Sequence, residues 1–424
     1  MALLPVAAYF FGRVTLGGPL FNLVAVPAMA VAETAGLLLV AVAPISTVAA
    51  SGIGAVAAGA AHLLVASAVP EWTSAVAWPV ARPSWLAVAA YYLAAVCAIA
   101  IWRERPAHTS HGFIRQRHVR LGSAAVWVMA AAAITLAPWP RWPWWTPSPS
   151  WSAAAVERLR VVFLDVGQGD AALVRMPNGA AWLVDAGGAG GSGYDIGERV
   201  VQPVLLDAGV RRLDTLVVTH GDADHVGGAP AVVRAFRPID IWEGVPVPRS
   251  PLRAVLRLAA AEHARRWTLV QRDDRAEIGG VQVVVHHPVR PDWERQAPRN
   301  DDSVVLELRF GQVSIVLAGD IGRDAEAELI DRVEPARLRV LKVPHHGSLS
   351  SSSEAFLRAL RPAIAVVSAG RGNAFGHPAS EVLARYASIG AEVFRTDLDG
   401  AVTVETDGRR VDVGTYTGRR NSWP

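Results

Sequence analysis

For its first hundred residues the chain is almost without polar punctuation. Apolar stretches follow one another over 14–31, 34–51, 53–69 and 84–102, and another runs over 121–138. The last two are each long enough to cross a bilayer core, which takes roughly 20 residues. The first three contain Gly and Pro and read as spans, re-entrant segments or short packed helices. Between Met1 and Ile101 the only formally charged side chains are Arg13, Glu33, Glu71 and Arg82. An N-terminal α-helical transmembrane segment is therefore expected over 1–139. The stretch "APWPRWPWWTPSPSW" that follows is rich in Trp and Pro and reads as a linker over 140–156.

From residue 157 the period changes. "RLRVVFLDVG" is a strand running into a loop, and "DAALVRMP" with "NGAAWLVDAGG" is a hairpin turning at Asn178-Gly179. "LDTLVVTH" is a buried strand ending at His220. "VGGAPAVVRAF", "LRAVLRLAAAEHARRW", "GRDAEAELIDRV", "SSEAFLRALRP" and "ASEVLARYASIG" carry helical patterns. "IDIWEGV", "VQVVVHHP", "SVVLELRFG", "VSIVLAGD", "LRVLKVP" and "AIAVVSAG" are strands, and "VFRTDLDGAVTVET" reads as a terminal hairpin. Runs of strands with helices between them predict a C-terminal α+β domain over 157–424. Two sheets pack together there and helices flank them.

Charge adds an orientation. The loop "WRERPAHTSHGFIRQRHVRLG" carries Arg103, Arg105, Arg115, Arg117 and Arg120, whereas "VPEWTSAVAWPVARPSW" has only Arg82. The positive-inside bias places 103–120 in the cytoplasm. The span at 121–138 then leads out, and the C-terminal domain lies outside the cytoplasm. The overall net charge of +3 is diffuse, and Lys342 is the only lysine among 41 basic residues. The single cysteine, Cys97, sits in an apolar run, which excludes a disulfide framework and a cysteine-based zinc site. No secretory signal pattern opens the chain.

The candidate chemistry lies where strands stop. Asp185 follows "WLV", His220 follows "TLVV", Asp320 follows "IVLAG", and His345 and His346 follow "LKVP". With the cluster His220, Asp222, Asp224 and His225 in "THGDADHVGG", they gather His and carboxylate at one sheet edge. A mixed donor set of that kind suits a divalent metal.

Those residues carry a resemblance. "VVTHGDADHVGG", "LVDAGG" and "VLAGD" resemble the H-x-H-x-D-H signature and accompanying aspartates of the metallo-β-lactamase fold, an αββα sandwich, with Asp222 at a position usually held by His. The set "FLDVGQGDAALV", "HGDADHVGG", "NDDSVVLELRFG", "LKVPHHGS" and "GNAFGHPASEVL" is similar to the ComEC family of competence proteins, polytopic proteins that carry DNA into bacteria. "FFGRVTLGGPLFNLVAVP" resembles the last part of that family's channel region. The family carries a longer membrane region and a further domain ahead of it. This chain therefore begins partway through that pattern, as a fragment, a mis-called start or a shortened paralogue.

The resemblance implies a site with two divalent ions. His220 and Asp222 hold one, Asp224 and His225 the other, and Asp320 bridges. One of His345 and His346 completes the site and the other gives a proton to the leaving oxygen. We take His345 as the ligand and His346 as the acid, with the alternative open. His377 is a further acid or ligand, and Asp224 joins the catalytic group. Asp165 and Asp170 shape the neighbouring loop, while Asp185, Asn300 and Ser303 orient the ligands. A carboxylate at 222 hardens the site and favours Mn²⁺, with Zn²⁺ or Mg²⁺ as alternatives.

The expected activity is hydrolysis of DNA phosphodiesters, single- or double-stranded, by a multi-pass membrane protein that works with other channel subunits or with itself. Two alternatives stand beside it. One is a hydrolase of another ester, phosphodiester or lactam; the other is a channel component that grips DNA without cutting it.

Overall fold

The computed structural model describes residues 4–11, 13–15, 18–67, 77–79, 83, 85–103, 158–188, 195–291 and 293–424. The chain divides into two compact units, Met1–Arg141 and Trp142–Pro424. The span expected at 121–138, the Arg-rich loop and the Trp/Pro linker lie outside the described residues.

In the first unit the helices are Leu4–Phe11, Gly18–Val42, Thr47–Ser67 and Trp85–Arg103, and two short strands, β1 (Arg13–Thr15) and β2 (Ala77–Pro79), pair antiparallel. The stretches expected to break near residue 33 do not. One helix of 25 residues runs through both Pro27 and Glu33. It ends where Pro44 can no longer supply a backbone N–H, and Ser46 Oγ then accepts from Ala49 N at 3.3 Å to open the next helix. These two long helices pack on each other. Asn22–Val42 and Thr47–Ala66 are long and apolar enough to cross a membrane. Their outward side chains, Leu23, Leu37, Val40 and Val48 among them, are more than 70% exposed, a surface suited to lipid rather than water.

The second unit is built on two facing sheets. The first has nine strands: β3 (Leu159–Phe163), β4 (Ala172–Arg175), β5 (Ala181–Val184), β6 (Thr215–Val218), β7 (Asp240–Glu243), β8 (Arg266–Leu269), and, from the end of the chain, β16 (Val402–Thr406), β17 (Val411–Thr415) and β18 (Arg420–Trp423). Its order is β18-β17-β16-β3-β4-β5-β6-β7-β8. The second has β9 (Arg275–Ile278), β10 (Val281–His287), β11 (Val305–Phe310), β12 (Val313–Leu317), β13 (Leu338–Lys342), β14 (Ile364–Val367) and β15 (Glu392–Arg395), in the order β15-β14-β13-β12-β11-β10-β9.

Both faces of the central strands are dry, which is why those strands read as continuous apolar runs. Leu159, Val161 and Phe163 point inward against Val283, Ile315 and Val340 of the other sheet. Val162 and Leu164 point outward under the helices Ala229–Phe236 and Pro251–His263. On the far side, Val316, Leu341 and Ala365 pack beneath Arg323–Leu329, Glu354–Leu360 and Ser380–Ser388. The layers are helix, sheet, sheet, helix, the expected αββα sandwich.

Two local expectations are corrected. "VFRTDLDGAVTVET" is not a hairpin: β15 pairs parallel with β14 in one sheet and β16 pairs with β3 and β17 in the other. Asp397 takes both arms of Arg395, at 3.0 and 2.7 Å, and Gly400 turns at φ +65°, so the chain crosses between sheets. The helix starting at Pro251 stops at His263. Arg266 and Trp267 instead open β8, where they bond the carboxylates Asp240 and Glu243 of β7. The helix expected after the Gly-rich start of "VGGAPAVVRAF" is Ala229–Phe236, and a separate short helix, Ala223–Val226, precedes the glycine pair.

Candidate metal centre

The parallel strands deliver their C-terminal ends to one edge. β5 leads into Asp185, β6 into Thr219-His220 and β12 into Gly319-Asp320, while β13 ends at Lys342, two residues before the turn that carries His345 and His346. The loop after β3 brings in Asp170. Its close approach to the short helix Ala223–Val226 requires glycine: at Gly169 (φ +134°) a Cβ would lie 2.3 Å from Asp224 O. Asp170 N then donates to that same carbonyl at 3.1 Å.

Asp170, His225, Asp320 and His346 are buried with their donor atoms within 4.8 Å of one another. The detailed geometry separates them. His225 Nε2 and His346 Nε2 lie 3.2 and 3.1 Å from Asp320 Oδ2, and His346 Nε2 lies 3.2 Å from Asp224 Oδ2. Each imidazole is anchored from behind. His225 Nδ1 bonds Asp185 Oδ2 at 2.8 Å, and His346 Nδ1 bonds the Ser368 carbonyl at 2.9 Å. Asp185 is itself fixed by Thr219 N and Thr219 Oγ1, at 2.8 and 2.7 Å. Carboxylates or carbonyls behind the ring and a free Nε2 in front form the arrangement that orients histidine for a metal. Asp170 faces the Nδ1 side of both rings, at 3.8 Å, and forms an ion pair with Lys342. It stands behind the converging atoms rather than among them.

His220 and Asp222 form the outer edge. His220 Nε2 is buried, makes no hydrogen bond and lies 3.3 Å from Asp222 Oδ2. The ring centroids of His220 and His225 are 4.2 Å apart. His225 Nε2 is also without a hydrogen bond, although a carboxylate is within reach. Buried imidazole nitrogens converging on carboxylate oxygens are costly unless a cation, a proton or a metal ion, lies between them. The donor set of the described residues therefore fits a divalent metal.

The placement of the two adjacent histidines differs from the expected one. His346, not His345, sends its nitrogen into the cluster. The physical cause is a backbone twist: His345 (φ 49°), His346 (φ 53°) and Gly347 (φ 82°) are consecutively left-handed and turn successive side chains apart. His345 is half-buried beside it. Asn300 Nδ2 donates to its Nε2 at 3.0 Å and Ser350 Oγ meets its Nδ1 at 3.2 Å. His377 is a ring neighbour of His345, with centroids 5.9 Å apart. Ser303 Oγ accepts from Asp320 N at 3.1 Å, and Asp165 closes its own loop by accepting from Gly167 N at 3.3 Å.

Sequence reasoning missed Lys342. Its buried ammonium donates to Gly319 O at 2.9 Å, lies 3.3 Å from Asp320 Oδ1 and pairs with Asp170. The available signal was its rarity: in a chain that otherwise uses arginine, one position keeps lysine.

The electrostatics follow from this packing. Burial disfavours charge on His346, but Asp320 and Asp170 outweigh it and push the imidazole up to about 10. His225 is raised in the same way, burial being overcome by Asp320 and Asp185. Burial would raise Asp320, yet His346, His225 and Lys342 hold it well below the usual carboxylate range. Burial lowers His345, and it lowers His377 with help from His345 and His346. Without metal the cluster thus keeps protons on His346 and His225, and metal must expel them. Since the ligand form is neutral imidazole, metal affinity rises with pH below about 10, roughly tenfold per pH unit for each proton released. Isothermal titration of Mn²⁺ in buffers of different ionisation enthalpy should show proton release. Affinity that is flat with pH, without release, would contradict this picture.

Comparison with known proteins agrees with the fold. Residues 164–371 match the family model described as the metallo-beta-lactamase superfamily, and residues 1–105 match that described as competence protein. ComE operon protein 3 of Bacillus subtilis is 31% identical over 268 residues, 61% of this chain and 34% of that one. Competence protein ComA of Neisseria gonorrhoeae is 33% identical over 243 residues, 57% of this chain and 31% of that one. Among solved structures, the metallo-beta-lactamase fold protein YhfI from Bacillus subtilis is 12% identical, covers 59% of this chain and 100% of its own, and has a TM-score of 0.40. The C-terminal unit is a hydrolase-type domain of the metallo-β-lactamase superfamily. The chain that carries it is similar to the ComEC family of competence proteins over its matched residues, and two of its N-terminal helices are long and apolar enough to cross a membrane. It spans about a third of the length of the curated relatives it matches.

Proposed function

We propose that the C-terminal unit is a divalent-metal-dependent phosphodiesterase that cleaves DNA during uptake. The observation that carries this reading is the convergence of His225 Nε2, His346 Nε2, Asp320 Oδ2 and Asp224 Oδ2, with the unbonded His220 Nε2 and Asp222 alongside. In this reading Asp224, His225, His346 and Asp320 would hold one ion, and His220 with Asp222 would take part in holding a second. When bound, the ions supply Lewis acidity toward a phosphodiester and toward water.

The chain's own residues do the rest. Asp185 and the Ser368 carbonyl keep the ligating rings oriented, and Lys342 holds Asp320 from behind. His345 and His377, kept neutral by burial, are suited to take a proton from water and return it to the leaving oxygen. Three carboxylates among the proposed ligands, Asp222 included, favour Mn²⁺ over Zn²⁺.

The test uses the full chain in detergent, stripped by chelator and resupplied with single ions. Mn²⁺ is expected to restore cleavage of single- or double-stranded DNA. Full activity with Zn²⁺ and none with Mn²⁺ would remove the metal assignment. DNA binding without cleavage under every ion would remove the nuclease and leave a gripping role.

The same reading places this unit outside the cytoplasm, from the Arg-rich segment 103–120. A C-terminal reporter that matures only in the cytoplasm should stay inactive; an active one reverses the orientation.

A further inference from the structure

Beside the centre, a short series of rings leads outward to solvent. His345 lies 6.3 Å from His346 and 5.9 Å from His377, and Phe375 lies 5.9 Å beyond His377 with the two planes only 22° apart. Phe375 is 70% exposed. Leaving so large a ring in water forgoes the burial that normally stabilises a phenylalanine.

Its loop is held in place. Asn373 Oδ1 accepts from Phe375 N at 3.2 Å and from His377 N at 3.0 Å. Asn373 Nδ2 donates to Gly370 O at 2.9 Å and to His377 O at 2.6 Å. Gly370 N donates to Gln168 Oε1 at 3.1 Å, which ties this loop to the one that carries Asp170. On the other flank a Cβ at Gly347 would lie 2.5 Å from Pro378, so the loop is packed against the turn of His345 and His346. Arg371, exposed on the same loop, is anchored through Nε to Asp397 O at 3.2 Å.

We propose that Phe375 is a stacking platform for an unpaired nucleobase of the strand whose phosphodiester lies at the metal centre. A fixed, exposed aromatic face beside a cation-seeking cluster, with an arginine on the same loop, matches a ligand that joins a flat ring to a phosphate. Stacking on aromatic side chains with backbone contacts from basic residues is how single strands are held irrespective of sequence. A base inside a duplex has no free face to offer, so the substrate class is single-stranded or locally unpaired DNA. The inference rests on the nuclease reading and adds the strand state and the residue that reads it.

The experiment compares kcat/KM in Mn²⁺ for a labelled oligothymidylate and an abasic oligonucleotide of equal length, using the full chain in detergent. The wild type is expected to prefer the base-bearing strand by about 5- to 100-fold, the worth of one stacked base. Phe375→Ala should lose that preference, Phe375→Trp should keep it, and Mn²⁺ affinity should be unchanged in both. Equal cleavage of the two strands by the wild type, or a preference that survives in Phe375→Ala, overturns the stacking platform while leaving the nuclease in place. Failure to cleave either strand overturns the nuclease reading itself.

Discussion

Replacing Asp320 by Asn is expected to abolish metal-dependent cleavage, with a loss well beyond about 100-fold. Removing a partner that merely orients a metal ligand costs 10- to 100-fold, and Asp320 is placed closer than that. One of its oxygens meets the nitrogens of both His225 and His346 at 3.2 and 3.1 Å, and the other faces Lys342 at 3.3 Å. An amide keeps the shape and loses the charge. With it goes the largest attraction that holds protons on His346 and His225, so both imidazoles fall toward neutrality in the metal-free protein. The variant should therefore bind Mn²⁺ weakly and also release fewer protons when it does. Calorimetry in paired buffers reads both quantities, and a thermal melt in chelator tests whether the fold survives. A folded Asp320→Asn protein that binds and cleaves like the wild type would exclude Asp320 from the centre.

How much of this was legible in the sequence depends on which physical rule sets each feature. The strand ends were legible because a run such as "TLVV" stops at a polar residue, and alternate parallel strands must deliver those residues to one edge. The long helix Gly18–Val42 was not, because a lone Glu33 does not break a helix in an apolar run; only Pro44 does. The crossing from β15 to β16 was hidden in "FRTDLDGAVT", where Asp397 pairs with Arg395 at the end of β15 rather than closing a turn between strands. The orientation of "PHHG" was hidden too. Either imidazole could face inward until three successive left-handed residues fix which one does. Asp170 illustrates the converse. Its place beside the metal loop was readable, yet its partner was a lysine that composition presented only as a rarity.

Substituting that lysine is the second large effect. Lys342 is buried with Asp170 and Asp320, and burial alone would lower its pKa. The two carboxylates overcome it and raise the ammonium above its ordinary value. Lys342→Met leaves Asp170 as a buried carboxylate without its ion-pair partner, a change that typically costs about 3–5 kcal/mol. For a domain of this size the melting temperature should fall by roughly 2–4 °C for each kcal/mol. Lys342→Arg is the more telling variant, since arginine is this chain's habitual base. A planar guanidinium cannot replace a point charge that donates to Gly319 O while facing two carboxylates in a closed space. It too should melt early, and cleavage should fall by more than about tenfold even where Mn²⁺ still binds, because Asp320 loses the contact that fixes its rotation. If Lys342→Arg kept both the melting temperature and the rate of the wild type, the ammonium would be a neutral filler of the core. The single lysine of the chain would then have no part in setting the centre.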